Sequence, residues 1–350
     1  MITDGVPVVR LEGGPVERGR AWGRALAEPI ERSLAFYRTF LERRGVGLDD
    51  LPRMLAPYRQ AAERAFPHLV AEVDAVAAGA DADPWELFAV NAFEELEPLL
   101  QPAAAGRVER CTAFAVGLSK GTILGHNELW YAGDVGNVAL AVASPDEGPA
   151  FASPSVVTCL PAVGMNGAGA SQSIMSLAAE DDREGIPRVL VSRHALQATD
   201  PDDAVSRATV PGRAGGYAHL VAFAGGRTFT VETSATGHAV LDHAAHANHY
   251  LDPDLARTGE SSAGSSGRQA RLEALLEERR PATPEDAMDI LRDHAGKPQP
   301  ICVHSDEAEG DEASATVFAM VCHLEEHRMW VAAGNPCTAP YEEIDIPEVA

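Results

Sequence analysis

Apolar residues recur at three- and four-residue spacing as far as about residue 96, and after that mostly in short runs or alternation. The first period marks helices buried along one face and the second marks strands. Val8 to Leu11 predicts a short opening strand. From Pro15 onward, Trp22, Leu26, Ile30, Leu34, Phe36, Tyr37, Phe40 and Leu41 predict one helix, ended at Gly45-Val46-Gly47. Further helices are expected over 49–65 and 67–78. Asp83 and Pro84 supply an N-cap and a first-turn proline for another, running to about Leu96. Residues 101–108, QPAAAGRV, read as an exposed linker.

Strands dominate the rest of the chain. Thr112 to Leu118, a turn at Ser119-Lys120-Gly121, and Thr122 to Leu124 leading into Gly125-His126-Asn127-Glu128 predict a hairpin. More strands are expected at 137–144 and 150–159. A strand–turn–strand unit comes next, with Gly164, Asn166 and Gly167 as the residues that tolerate positive φ. Two further hairpins join 218–224 to 227–233 and turn at Glu325-Glu326-His327, and His238 to His243 reads as an extra strand. Helices are expected at 186–198, from Asp200-Pro201 to Ala208, over 268–279, and from Thr283-Pro284 to about His294, with 259–267 as a loop. Hairpins outnumber βαβ units and no internal repeat is visible. The expected class is therefore α+β, with mainly antiparallel sheets and helices packed outside them.

Composition narrows the function. The net charge of −24 excludes a basic nucleic-acid surface and argues against an anionic membrane partner. No apolar run is long enough to span a bilayer, and the start lacks a signal-like pattern, so a cytoplasmic location is expected. The 5 cysteines are scattered without a CxxC, which suits neither a disulfide framework nor a zinc ribbon. P-loop, GxGxxG and GxSxG patterns are absent.

Cys111, at the mouth of the first strand after the linker, is the candidate nucleophile. A lone cysteine before an apolar run also reads as a core residue. Cleavage of the Arg110–Cys111 bond would set a new α-amine beside its own thiol. Such an amine titrates near ~7.7–8.0, a range suited to a general base at neutral pH. Glu128, at the end of the partner strand, is either an acid in the site or a solvated charge. Tyr217 and Glu232 are candidate pocket residues with an equal claim to structural roles. His243, His246 and His249 lie three apart, a spacing that does not keep them on one face of a strand, so no metal is expected there. Cys302, His304, Cys322 and His323 form a looser set, expected to be core and strand-edge residues.

Six motifs, in order, carry a resemblance: GGPVERGRAWG (13–23), CTAFAV with GHNELW (111–130), VGMNGAGASQS (163–173), HANHY (246–250), PICVH (300–304) and AAGNPC (332–337). Together the chain resembles the acyl-coenzyme A:6-aminopenicillanic acid acyltransferase family of N-terminal-nucleophile cysteine hydrolases. The resemblance implies a four-layer αββα sandwich. It also implies self-cleavage before Cys111, giving a mainly helical segment (residues 1–110) and a strand-rich segment (residues 111–350) that together form one domain. Cys111 would act as nucleophile and, through its amine, as base. Asn248, which reads equally as a turn-capping residue, would offer its amide to an oxyanion, with Asn127 and Glu128 beside the nucleophile and Ser171, Tyr217 and His249 toward the substrate. No cofactor or metal is implied. Leu129 and Val303 depart from the resemblance, standing where many relatives carry Asp and Arg, and Arg110 replaces a glycine.

The expected activity is hydrolysis or transfer of an acyl group from a small amide, peptide or acyl thioester, in the manner of secondary-metabolite enzymes. The alternative is an uncleaved, catalytically altered relative that binds such a molecule. The oligomeric state is left open.

Overall fold

The computed structural model describes residues 5–100, 111–296, 300–305 and 310–346. The linker at 101–108 and the bond before Cys111 lie outside them. The chain opens with strand β1 (Val8–Gly13) and then runs through six helices, α1 (Pro15–Ala25), α2 (Ala27–Glu42), α3 (Leu51–Ala65), α4 (Pro67–Ala80), α5 (Pro84–Asn91) and α6 (Phe93–Leu100). Two of the expected helices are each broken in two. Leu26 adopts φ −121 between α1 and α2, and Ala92 adopts φ −121 between α5 and α6. Pro29, in the first turn of α2, cannot donate to the Ala25 carbonyl, which breaks the first; the second carries no glycine or proline, and the apolar period runs through both.

The opening motif is explained by packing. α1 crosses α4 so closely that a Cβ on Gly19 would lie 2.4 Å from the Glu72 carbonyl, and one on Gly23 would lie 2.2 Å from that of Val76. Gly79 returns the contact, 2.6 Å from the Arg20 carbonyl. Under this crossing Arg18 is fully buried, held by Glu72 at 2.8 Å and Glu147 at 2.6 Å.

Next come β2 (Thr112–Leu118), β3 (Gly121–Tyr131), β4 (Val138–Pro145), β5 (Phe151–Val156), β6 (Gly164–Asn166) and β7 (Ala170–Leu177). Helices α7 (Arg188–Ala195) and α8 (Pro201–Ala208) precede β8 (Gly216–Phe223), β9 (Thr228–Thr233), β10 (His238–Leu241) and the two-residue β11 (Ala245–His246). The chain then forms α9 (Ala263–Arg279), α10 (Pro284–Leu291), β12 (Ser314–His323), β13 (Arg328–Ala333) and β14 (Glu342–Asp345). Helix α9 takes in part of the expected loop because Ser262 caps it through Ser265 N. Strand β3 runs on to Tyr131, past the expected end at Leu124, because β12 pairs with it along most of its length.

Two sheets result, with strand orders β1-β4-β5-β6-β7-β8-β9-β10 and β11-β2-β3-β12-β13-β14. Among the described residues, β1 and β4 pair in parallel and every other neighbouring strand pair is antiparallel. One core fills the space between the sheets and beneath the N-terminal helices, and includes Ala113, Leu124, Met165, Leu220 and Met320. A second core lies where α9 and α10 cover the outer face of the six-stranded sheet, around Phe114, Leu272, Ile290 and Val321. A third lies where α7 and α8 cover the other sheet, around Ala195, Ala204, Val221 and Phe229. The architecture is the α+β arrangement of two mainly antiparallel sheets between helices that the sequence predicts.

A buried asparagine fastens each outer layer. Asn166 Nδ2 donates to the carbonyls of Leu196 and Ala198, both at 2.8 Å, beyond the end of α7. Its Oδ1 accepts from the amides of Ala168 and Ala170. The positive φ of this turn falls on Gly164 and Gly169, not on Asn166 or Gly167 as expected. On the other sheet, Asn127 Nδ2 donates to the carbonyls of Leu291 and Ile301, both at 2.9 Å.

Candidate active site

Cys111 stands one residue before β2, whose neighbours are β11 and β3. The register pairs Thr112 with Asn127 and Ala113 with His126. Successive side chains of a strand point to opposite faces. His126, Glu128 and Trp130 of β3 therefore share the inner face with Cys111, while Asn127 and Leu129 face the outer helices. Cys111 Sγ donates to Glu128 Oε1 at 3.1 Å, and the other oxygen of that carboxylate meets His126 Nε2 at 2.9 Å. Burial, reinforced by the Glu128 charge, pushes the Cys111 thiol well above its ordinary range.

The sulfur opens onto a pocket of about 520 Å3, including its mouth. Its walls are largely apolar, with Val156, Leu160, Val163, Ile174 and Phe318 among them. The polar lining includes Glu94, Glu128, Tyr217, Ser176 and Ser155, with Glu128 in contact with the thiol. Glu94 accepts from Ser176 Oγ at 2.6 Å and from Tyr217 OH at 3.1 Å. Behind it, the buried Arg188 guanidinium lies 3.7 Å from both Glu94 and Glu95 and 2.6 Å from Asp182. Trp130, also in the lining, donates to Tyr37 OH, which donates to Asp134, so α2 positions the indole.

The structure thus brings Cys111, Glu128 and Tyr217 together at one pocket. Asn248 is a step away. Its Oδ1 accepts from Arg268 at 2.7 Å, and its Nδ2 donates at 3.1 Å to the carbonyl of Ser176, a pocket residue. Asn127 does not belong to the site, because its amide is committed to the α10 layer. Ser171 is away from the pocket as well, donating to the Gly164 carbonyl at 2.9 Å. His249 also lies outside it, 2.8 Å from Ser265 Oγ at the start of α9. Glu232 is fully buried and binds His246 and the amides of Leu251 and Asp252, which makes it a loop anchor. His126, Glu94 and Ser176 join the site without having been singled out by the sequence. For His126 the signal is present there, since a period of two sets it on the face of Glu128.

Among the described residues, two groups of side chains hold potential metal ligands within 4.8 Å of one another: Cys111, His126 and Glu128, and His294, Cys302, His304 and Cys337. In the first, a donor meets an acceptor at each contact, so hydrogen bonding alone accounts for it. Among the described residues no helix is long and apolar enough to cross a membrane.

Solved structures with a similar arrangement include a mutant conjugated bile acid hydrolase from Clostridium perfringens. It is 10% identical, with a TM-score of 0.40, over 68% of this chain and 98% of that one. Penicillin V acylase from Agrobacterium tumefaciens is 14% identical, with a TM-score of 0.40, over 67% of this chain and 86% of that one. The model of the acyl-coenzyme A:6-aminopenicillanic acid acyl-transferase family matches residues 118–338. That span takes in Glu128, Tyr217 and Asn248 and begins shortly after Cys111. With more than half of its length matched, the chain belongs to the acyl-coenzyme A:6-aminopenicillanic acid acyl-transferase family.

Proposed function

We propose that the protein is an amide-bond hydrolase or acyltransferase that works through a thioester on Cys111. The observation that carries this reading is the thiol itself, which faces the pocket 3.1 Å from the Glu128 carboxylate. In the intact chain Glu128 takes the thiol proton as sulfur attacks the Arg110 carbonyl. The C–N bond breaks, the proton passes to the departing amine, and water hydrolyses the thioester to leave a carboxylate on Arg110. The new α-amine is then the base nearest the thiol, and as an ammonium beside it favours thiolate. In turnover the sulfur attacks a substrate amide or thioester, the leaving group departs protonated, and water or an amine accepts the acyl group.

Asn248 is the oxyanion donor in this reading. Arg268 fixes its oxygen, so the amide hydrogens are directed toward Ser176 and the pocket. The apolar walls favour a hydrophobic acyl group, with its amide held at the end where Glu94, Glu128 and Tyr217 gather. A small secondary-metabolite amide is the substrate class, and the cytoplasm is the proposed location.

N-terminal sequencing and intact mass of the purified protein test the proposal. Pieces meeting at 110/111, with both cleavage and turnover lost in Cys111→Ala, are expected. Turnover retained in Cys111→Ala would remove the sulfur from the mechanism. The second reading, an uncleaved binder of a small amide or peptide, rests on Leu129 and Val303. Leu129 pairs with Thr316 in register, and Val303 exchanges hydrogen bonds with the same Thr316. Both lie on the far side of β3 from the thiol, so their apolar character leaves the Cys111–Glu128 contact intact. An unbroken chain that binds amides without consuming them would favour this second reading.

A further inference from the structure

His294, Cys302, His304 and Cys337 come from two connections, the first three from the one between α10 and β12 and the last from the one between β13 and β14. His294 follows α10, Cys302 and His304 lead toward β12, and Cys337 lies between β13 and β14. Their side chains nevertheless converge. His304 Nε2 lies 3.1 Å from His294 Nε2, 3.1 Å from Cys337 Sγ and 3.8 Å from Cys302 Sγ, and the two sulfurs are 3.7 Å apart. One imidazole nitrogen carries either a single hydrogen or a single lone pair. Hydrogen bonding cannot serve three polar neighbours from it at once. A cation at the centre serves all four.

The spacing fits a particular class of ion. In a tetrahedral site with Zn–S of about 2.3 Å and Zn–N of about 2.05 Å, ligand atoms lie about 3.8 Å apart for S···S, about 3.6 Å for S···N and about 3.4 Å for N···N. The observed 3.7 Å matches the first, 3.8 and 3.1 Å straddle the second, and 3.1 Å is close to the third. Two thiolates and two imidazoles suit zinc and are poor ligands for magnesium or calcium. All four positions are filled by protein, as in a structural centre rather than a catalytic one. A supporting contact is present too: Asn335 Nδ2 donates to Cys302 Sγ at 3.5 Å and to the Val303 carbonyl at 2.6 Å.

We infer that these four side chains form a structural zinc site, separate from the Cys111 pocket. Binding one Zn2+ releases the protons of the Cys302 and Cys337 thiols to solvent. The site ties the end of α10 to the segment that enters β12 and to the β13–β14 connection. Asn127, the neighbour of Glu128 on β3, holds Leu291 and Ile301, at either end of the stretch that carries His294. The ion therefore steadies the layer directly behind the strand that carries Glu128.

The test uses full-length protein purified without chelator. Elemental analysis should find one zinc per chain, falling at least roughly tenfold in Cys337→Ser and His304→Ala. Protein stripped of zinc and reloaded with Co2+ should show the thiolate charge-transfer and visible ligand-field bands of a tetrahedral S2N2 centre. His294→Ala, which removes an exposed ligand, is expected to remain folded by circular dichroism while its cobalt bands weaken and shift. Substoichiometric metal in the wild type together with no cobalt spectrum would overturn the inference. So would zinc content unchanged across all three variants, or an intact mass showing Cys302 and Cys337 joined as a metal-free disulfide.

Discussion

At the scale of single residues, burial and then the Glu128 carboxylate set the state of Cys111. The carboxylate accepts the thiol hydrogen and by its charge opposes thiolate. Glu128→Gln is therefore expected to act in two directions. The pH at which Cys111 is alkylated should move down, because a like charge has gone. Cleavage and turnover should slow by roughly 10²–10⁴-fold, the usual contribution of a positioned acid–base group. Alkylation and turnover measured across pH on one preparation make the check, and an upward move of the alkylation curve would show that the carboxylate does not face the sulfur. Cys111 is legible in the sequence because a strand motif names its own neighbours. Glu128 is half legible, since the choice between acid and solvated charge depends on burial. Asn127 departs from its expected place for a reason the sequence already holds, because adjacent strand residues cannot share a face. Ser171 and His249 belong to recognisable motifs, but a motif gives position along the chain and not the direction of a side chain.

At the scale of elements, the caps are the clearest signals. Asp83, Asp200 and Thr283 each accept an amide of the first turn, as their sequence context predicts. The break at Leu26 has a sequence cause in Pro29, which cannot donate to the Ala25 carbonyl, whereas the break at Ala92 has no local breaker and is illegible. The α1–α4 crossing supplies a test. Gly23→Ala would gain up to about 1 kcal/mol in helix propensity. The new methyl would meet the Val76 carbonyl and the Ala80 amide, which are main-chain atoms that cannot swing away. Overpacking of this kind costs about 1–3 kcal/mol, so a net loss of stability is expected in urea denaturation. A variant more stable than wild type would mean that the helices are farther apart than described.

At the scale of the whole molecule, burial of acids makes stability depend on pH. Burial pushes the Glu95 carboxyl up to about 7, against the pull of Arg188. The folded protein thus holds a proton that an unfolded carboxyl, with a pKa of about 4.3, gives up. Stability from this group is complete below about pH 4 and is lost as pH rises through about 7, by roughly 4 kcal/mol in all. Burial also raises Asp134, to about 6, with the same sign. Glu95→Gln should flatten the Glu95 share of the decline, seen as a urea midpoint that falls less than wild type between about pH 4.5 and 8. Parallel curves would mean that Glu95 is charged in the fold. Long-range convergence of this kind has no sequence signature. Of the four proposed zinc ligands, three lie within residues 294–304, and only the approach of Cys337 is decided by sheet order rather than by spacing.

The parallel pairing of β1 with β4 carries one more consequence. The strand that begins the chain precedes the bond before Cys111, and its partner follows it. Severing that bond would leave each piece holding a share of the other's sheet and core. The fragments would then stay interlocked, like two hands clasped after the cord between the wrists is cut, and nicking would alter the covalent inventory while leaving the body in solution whole.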